Sequence, residues 1–131
     1  MNKIVEFFIS RAHSFRNAFR GWWYVFRTQR NAWIHAVIST VVILITFWLR
    51  LALIEWAILL LTIALVWTAE FINTALEAVV DLASPELHPL AKVGKDVGAA
   101  AVLIASLTSI LVGLLILGPP LWHRILIWFI R

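Results

Sequence analysis

Apolar positions recur along this chain in patterns that change from segment to segment, and each pattern predicts an element. In residues 4–27, Ile4, Phe8, Phe15, Phe19, Trp22 and Phe26 fall within a sector about 60° wide on a helical wheel. Arg16, Arg20, Arg27 and Arg30 form a second stripe beside it. A helix that is aromatic on one face and basic on its flank predicts a segment lying in a membrane interface, residues 1–30, with its arginines on headgroup phosphates rather than on a nucleotide. Gly21 marks a point where it breaks or bends. Within residues 33–54 the amphipathic period gives way to an apolar run from about Trp33 to Leu49, in which Val37 to Trp48 is broken only by Ser39, Thr40 and Thr46. This predicts a first membrane span near the short end of the roughly 17 to 25 residues required.

Arg50 and Glu55 bracket a very short connection, so the second span, residues 55–82, returns antiparallel. At 1.5 Å per residue it is roughly 40 Å long against a hydrocarbon core of about 30 Å, so its Glu77–Asp81 end emerges among the headgroups. Two prolines, Pro85 and Pro89, then break the chain, and His88 is placed to cap a new helix with Pro89 at its first position. That helix predicts a third span over residues 89–118, where Gly98 and Ala99 to Ala101 allow close helix packing. Gly118-Pro119-Pro120 is expected to end it, leaving residues 119–131 as an interfacial tail anchored by Trp122 and Trp128.

Composition fits this reading: of 131 residues 63% are hydrophobic and only 14% charged, too apolar for a soluble domain of this size. The expected fold class is an all-α integral membrane protein with three spans and an N-terminal surface helix, in a single domain. With no cysteine, a thiolate zinc site is excluded. The net charge of +4 sits beside apolar segments, so anionic headgroups rather than nucleic acid are the expected partner. The start does not read as a cleavable signal, because Lys3 is followed by a short apolar stretch broken by Glu6. Lys3 and five arginines in the first 30 residues, and Lys92 and Lys95 in the second loop region, place those segments in the cytoplasm by the positive-inside rule.

Against this apolar background one polar stripe stands out. Glu70, Asn73, Glu77 and Asp81 fall at roughly 0°, −60°, −20° and +20° on the wheel of the second span, with Thr74 near +40°. Ionisable groups at membrane depth cost about 2.5 to 3.5 kcal/mol each on insertion scales, which marks the stripe as a functional site before a mere packing seam. Glu70, nearest the lipid phase, suits a general base acting on an alcohol delivered from the bilayer. Lys92, Lys95 and Asp96 share one side of the third span. Facing Glu77 and Asp81 they make either a salt-bridged seam or a phosphate and metal site. Gly94-Lys95-Asp96 lacks the spaced glycine and the following Ser/Thr of a P-loop. His13, His35 and His123, taken singly, read as interfacial or packed residues.

In the order Glu70-Phe-Ile-Asn73-Thr74-Ala75-Leu-Glu77, Val80-Asp81, His88, Ala91-Lys92 and Lys95-Asp96, the chain resembles the small prokaryotic diacylglycerol kinase and undecaprenol kinase family over about residues 15–118. The resemblance implies a homotrimer with active sites shared between subunits, and ATP- and Mg²⁺-dependent phosphorylation of a lipid alcohol in the cytoplasmic (inner) membrane. Carried over by position, it implies Glu70 as catalytic base and, with Asn31, as a substrate contact. Glu77 and Gln29 stand as metal ligands, and Gln29, Glu77, Glu86, His88, Lys95 and Asp96 as ATP contacts. Asn73, Asp81 and Lys92 form a supporting polar cluster. Gln29 departs from the family, which usually has a glutamate there; an amide oxygen can bind Mg²⁺ but brings no charge. Thr28-Gln29-Arg30-Asn31 with His35, and His88-Pro89-Leu-Ala-Lys92, resemble the undecaprenol branch more than the diacylglycerol branch. A non-catalytic protein that keeps the fold, and a small cation carrier, are the rival readings.

Overall fold

The computed structural model describes residues 2–84, 86 and 88–130, so the break predicted at Pro85 falls partly outside the described residues. The described chain is helical almost throughout: α1 (Lys3–Thr28), α2 (Arg30–Leu49), α3 (Leu53–Ala83) and α4 (Pro89–Ile130). α2, α3 and α4 are each long and apolar enough to cross a membrane.

The helix ends follow from local chemistry. At the start of α1 the Asn2 side chain accepts a hydrogen bond from the Ile4 amide. Between α1 and α2 a single residue, Gln29, is extended (φ −106°, ψ 116°), and this joint turns the surface helix into the first span. α2 ends at Arg50, which takes the left-handed conformation (φ 55°, ψ 48°) that usually falls to glycine. Two residues later the Glu55 carboxylate accepts a 2.7 Å hydrogen bond from the Ala52 amide and opens α3. α4 opens as its sequence predicts: His88 Nδ1 accepts from the Leu90 amide, with Pro89 as the first helical residue.

Two expected breaks do not occur. α1 runs through Gly21 without interruption. α4 also continues through Pro119 and Pro120 to Ile130 instead of ending at Gly118. Each proline removes one backbone donor, yet Leu117 before the pair and Leu121 after it pack against the same buried cluster, formed with Leu49 and Leu59. With both flanks seated and a fixed φ that suits a helix, the chain stays helical through the pair.

α3 and α4 make the most intimate pair. Gly94 and Gly98, four residues apart, let the α4 backbone approach Val80, Asn73 and Leu76 on α3. α1 is seated by rings. Trp22 lies 5.0 Å from Trp67 and 4.9 Å from Phe71 between centroids, and Phe26 lies 5.4 Å from both Trp33 and Trp67. Two indole N–H groups add direction, Trp33 donating to the Phe26 carbonyl at 3.0 Å and Trp67 to Ser39 Oγ at 3.3 Å. Threonines within the spans satisfy their hydroxyls on their own helix, as Thr46 does on the Val42 carbonyl and Thr62 on Ile58 (both 2.7 Å).

Candidate active site

The aromatic seat under α1 decides where Gln29 goes. It brings the joint residue against α3, and Gln29 Nε2 donates a 3.0 Å hydrogen bond to Glu77 Oε2. Asn73, one turn before Glu77, donates from Nδ2 to the other carboxylate oxygen at 2.9 Å. Glu77 is thus held between two amides from different elements. One further turn back, Glu70 is 1% exposed, and Thr74 donates to its backbone carbonyl. Its carboxylate points at His35 of α2, with Oε2 3.7 Å from His35 Nε2.

These side chains surround one cavity of about 340 Å³, bounded by Gln29, Asn31, His35, Glu70, Asn73 and Glu77 on one side and by Ala99, Val102 and Ser106 of α4 on another. Among the described residues the buried polar side-chain atoms without a hydrogen-bond partner are His35 Nε2, Glu70 Oε2 and Asn73 Oδ1, and all three residues line this cavity. Orphaned buried polar atoms cost about 1 to 3 kcal/mol each, so three in one place mark a site kept for a ligand. Next to it lies an apolar groove between α2, α3 and α4, lined by Ile38, Val42, Leu59, Val66 and Ile110, among others. Ile34, His35 and Ser106 border both spaces, so the polar cavity opens toward the hydrocarbon depth of the spans.

The structure therefore gathers Gln29, Asn31, Glu70, Asn73 and Glu77 of the residues singled out from sequence. The others do not line the cavity. Lys95 pairs with Asp81 across α3 and α4, one turn beyond Glu77, while Asp96, Lys92, Glu86 and His88 are exposed. Of the salt-bridged seam considered from sequence, among the described residues only this Lys95–Asp81 pair forms, and with Asp81 64% exposed it contributes little to stability.

Two further polar residues line the cavity: His35, which taken singly reads from sequence as an interfacial or packed residue, and Ser106, which the sequence does not single out. His35 lies one turn after Asn31, on the same face of α2, which is the signal that would have found it. Ser106 follows Ala99 and Val102 at helical spacing but has no local mark beyond a lone hydroxyl in an apolar run.

The donor set can be tested against a divalent cation. Among the described residues no group of three or more His, Asp or Glu side chains comes together, so a transition-metal cage is not built here. A hard cation asks for oxygen. Glu77 supplies a carboxylate, and Gln29 and Asn73 supply amide oxygens, that of Asn73 being one of the three orphans. An all-oxygen set with one negative charge suits Mg²⁺ that arrives with phosphate oxygens and water as its other ligands.

Comparison with known proteins adds an independent line. The sequence pattern of the family described as prokaryotic diacylglycerol kinase matches residues 16–117. The undecaprenol kinase of Bacillus subtilis is 41% identical over 120 residues, covering 92% of this chain and 94% of that protein. The diacylglycerol kinase of Synechocystis sp. is 47% identical over 109 residues, which cover 82% of this chain but 62% of that protein. The diacylglycerol kinase of Escherichia coli is 35% identical over 95 residues, covering 67% of this chain and 78% of that protein.

Proposed function

This chain belongs to the prokaryotic diacylglycerol kinase family and is a membrane lipid kinase, and from that premise we propose that it transfers the γ-phosphate of ATP to the hydroxyl of undecaprenol. A kinase of this family uses a nucleotide phosphate donor; ATP with Mg²⁺ is the form proposed here. The observation that carries the lipid alcohol is the place of Glu70: a buried carboxylate with an unpartnered oxygen in the polar cavity, 3.7 Å from His35, which borders both that cavity and the apolar groove. A hydroxyl that comes up the groove on a hydrocarbon chain passes His35 and reaches Glu70 just beyond it. Undecaprenol is favoured over diacylglycerol by the Bacillus subtilis relative, which matches over nearly the full length of both chains.

The chain's own groups divide the work. Glu70 Oε2 takes the proton as the hydroxyl oxygen attacks the terminal phosphorus, and the buried surroundings keep water from competing. Glu77, with the amide oxygens of Gln29 and Asn73, would hold Mg²⁺, which when bound neutralises charge on the phosphate oxygens. Lys95, Asp96, Lys92, Asp81, Glu86 and His88, toward the end of α3 and the start of α4, are assigned to the nucleotide. Because they do not line the cavity around Glu70, a site completed between subunits of a homotrimer is part of the same proposal. The protein is placed in the cytoplasmic membrane with its N-terminus inside.

The test is transfer of labelled γ-phosphate from ATP to undecaprenol, shorter polyprenols and diacylglycerol in mixed micelles, with Glu70→Gln beside the parent. The expected result is labelled undecaprenol, reduced at least about 100-fold in Glu70→Gln. Faster labelling of diacylglycerol would overturn the substrate, and full turnover in Glu70→Gln would overturn the base.

A further inference from the structure

We propose that His35 is a second contact to the attacking hydroxyl, its Nε2 and Glu70 Oε2 forming a two-point clasp on that oxygen. The inference rests on the lipid kinase reading above and adds a residue and a role to it. Three observations carry it. Both atoms are buried and have no hydrogen-bond partner. They lie 3.7 Å apart, too far for a good hydrogen bond to each other. An oxygen seated to one side of the line joining them, however, can stand at about 2.8 Å from each. Finally, His35 borders both the polar cavity and the apolar groove, the place a lipid hydroxyl must pass.

The chemistry is complementary. A hydroxyl is at once donor and acceptor, and the clasp offers one of each: the carboxylate accepts its proton, and an imidazole with its proton on Nε2 donates to its oxygen. The remaining lone pair is left for phosphorus. In the transfer the O–H bond breaks and its proton passes to Glu70 Oε2, while the oxygen forms a bond to the terminal phosphorus. The bond from that phosphorus to the bridging oxygen breaks, and its electron pair leaves on the nucleoside diphosphate. As negative charge develops on the attacking oxygen the imidazole N–H bond strengthens, so His35 contributes more in the transition state than in the ground state. Water lacks the chain that would hold it in the groove, so the clasp also favours the lipid over water as acceptor.

His35→Phe keeps the ring and removes the donor, and His35→Gln restores an N–H at similar reach. In mixed micelles with ATP-Mg²⁺, His35→Phe is expected to lose about 10- to 100-fold in kcat for the lipid. The KM for ATP should stay within about twofold, and a larger share of the released phosphate should go to water. His35→Gln is expected to recover part of the lipid turnover. The clasp is overturned if His35→Phe keeps the parent's lipid kcat and its partition between lipid and water. It is also overturned if both variants fall equally with ATP affinity lost alongside, which is the mark of a packing residue. If the parent transfers phosphate to no lipid, the kinase reading falls and the clasp with it; a parent that works beside an unaffected His35→Phe removes the clasp alone.

Discussion

A methyl group added at Gly98 would strike Asn73 Oδ1 and stand 3.0 Å from Leu76 Cδ2. Asn73 is the residue that fixes one oxygen of Glu77, so the absent side chain on α4 is what allows the amide on α3 its place. Gly98→Ala must therefore push either the helix pair apart or Asn73 out of line. The expected outcome is a loss of about 1 to 3 kcal/mol in stability and a fall of about 10- to 100-fold in lipid phosphorylation. Gly94 is the control. An added Cβ there meets Val80 Cγ2 at an ordinary 3.7 Å, and Gly94→Ala should leave both thermal melting and turnover near the parent's. Equal effects of the two substitutions would show that the approach of α4, not the seat of Asn73, is what matters.

Between elements the Gln29–Glu77 hydrogen bond is the polar tie from the α1–α2 joint to α3, complementing the rings of Trp22, Phe26 and Trp67. An amide against a carboxylate makes that tie without any ion. Two carboxylates at this spacing would repel unless a cation lay between them. Gln29→Glu is thus expected to lower stability by about 1 to 3 kcal/mol in chelator, the loss of a hydrogen bond to a charged group, and to regain it in millimolar Mg²⁺. The parent's melting temperature without nucleotide should move far less with Mg²⁺. The measurement is thermal unfolding in detergent with and without chelator. A Gln29→Glu protein as stable as the parent in chelator would mean that the rings alone seat α1. The same scale shows where sequence signals compete: Gly118-Pro119-Pro120 reads as a helix stop, yet Leu117 and Leu121 on either side share a buried cluster with Leu49 and Leu59, and packing overrides the local cost.

Taken as a whole, the molecule turns most of its large apolar side chains outward, with Leu53 88% and Leu82 86% exposed in the single chain. Such a surface is stable only against lipid or further protein. Most of its basic residues lie in the first 30 residues and at the start of α4, while the opposite end carries Arg50 in the α2–α3 turn and Arg124 over the Trp48 ring. The absence of cysteine makes the orientation easy to read. In intact cells, a thiol introduced as Ser84→Cys should be shielded from an impermeant reagent and one introduced as Arg50→Cys should react with it. Reaction at both positions, or the reverse order, would overturn the proposed orientation.

The sequence by itself determined the three spans, the surface helix, the antiparallel turn at Arg50 and the stripe of Glu70, Asn73 and Glu77. These are local properties: hydropathy over a window, helical period and capping chemistry each act within a few residues. Only the tertiary structure decided that Gln29 reaches Glu77, 48 residues away, that α4 passes through its prolines, and that His35 stands across from Glu70 with both atoms unpartnered. The one-turn spacing from Asn31 puts His35 on the polar face of α2 but does not say which residue it faces. Its neighbour is set by the rotation and packing of α2 against α3, through the Trp67–Ser39 bond and the aromatic seat of α1, and these depend on several distant side chains at once.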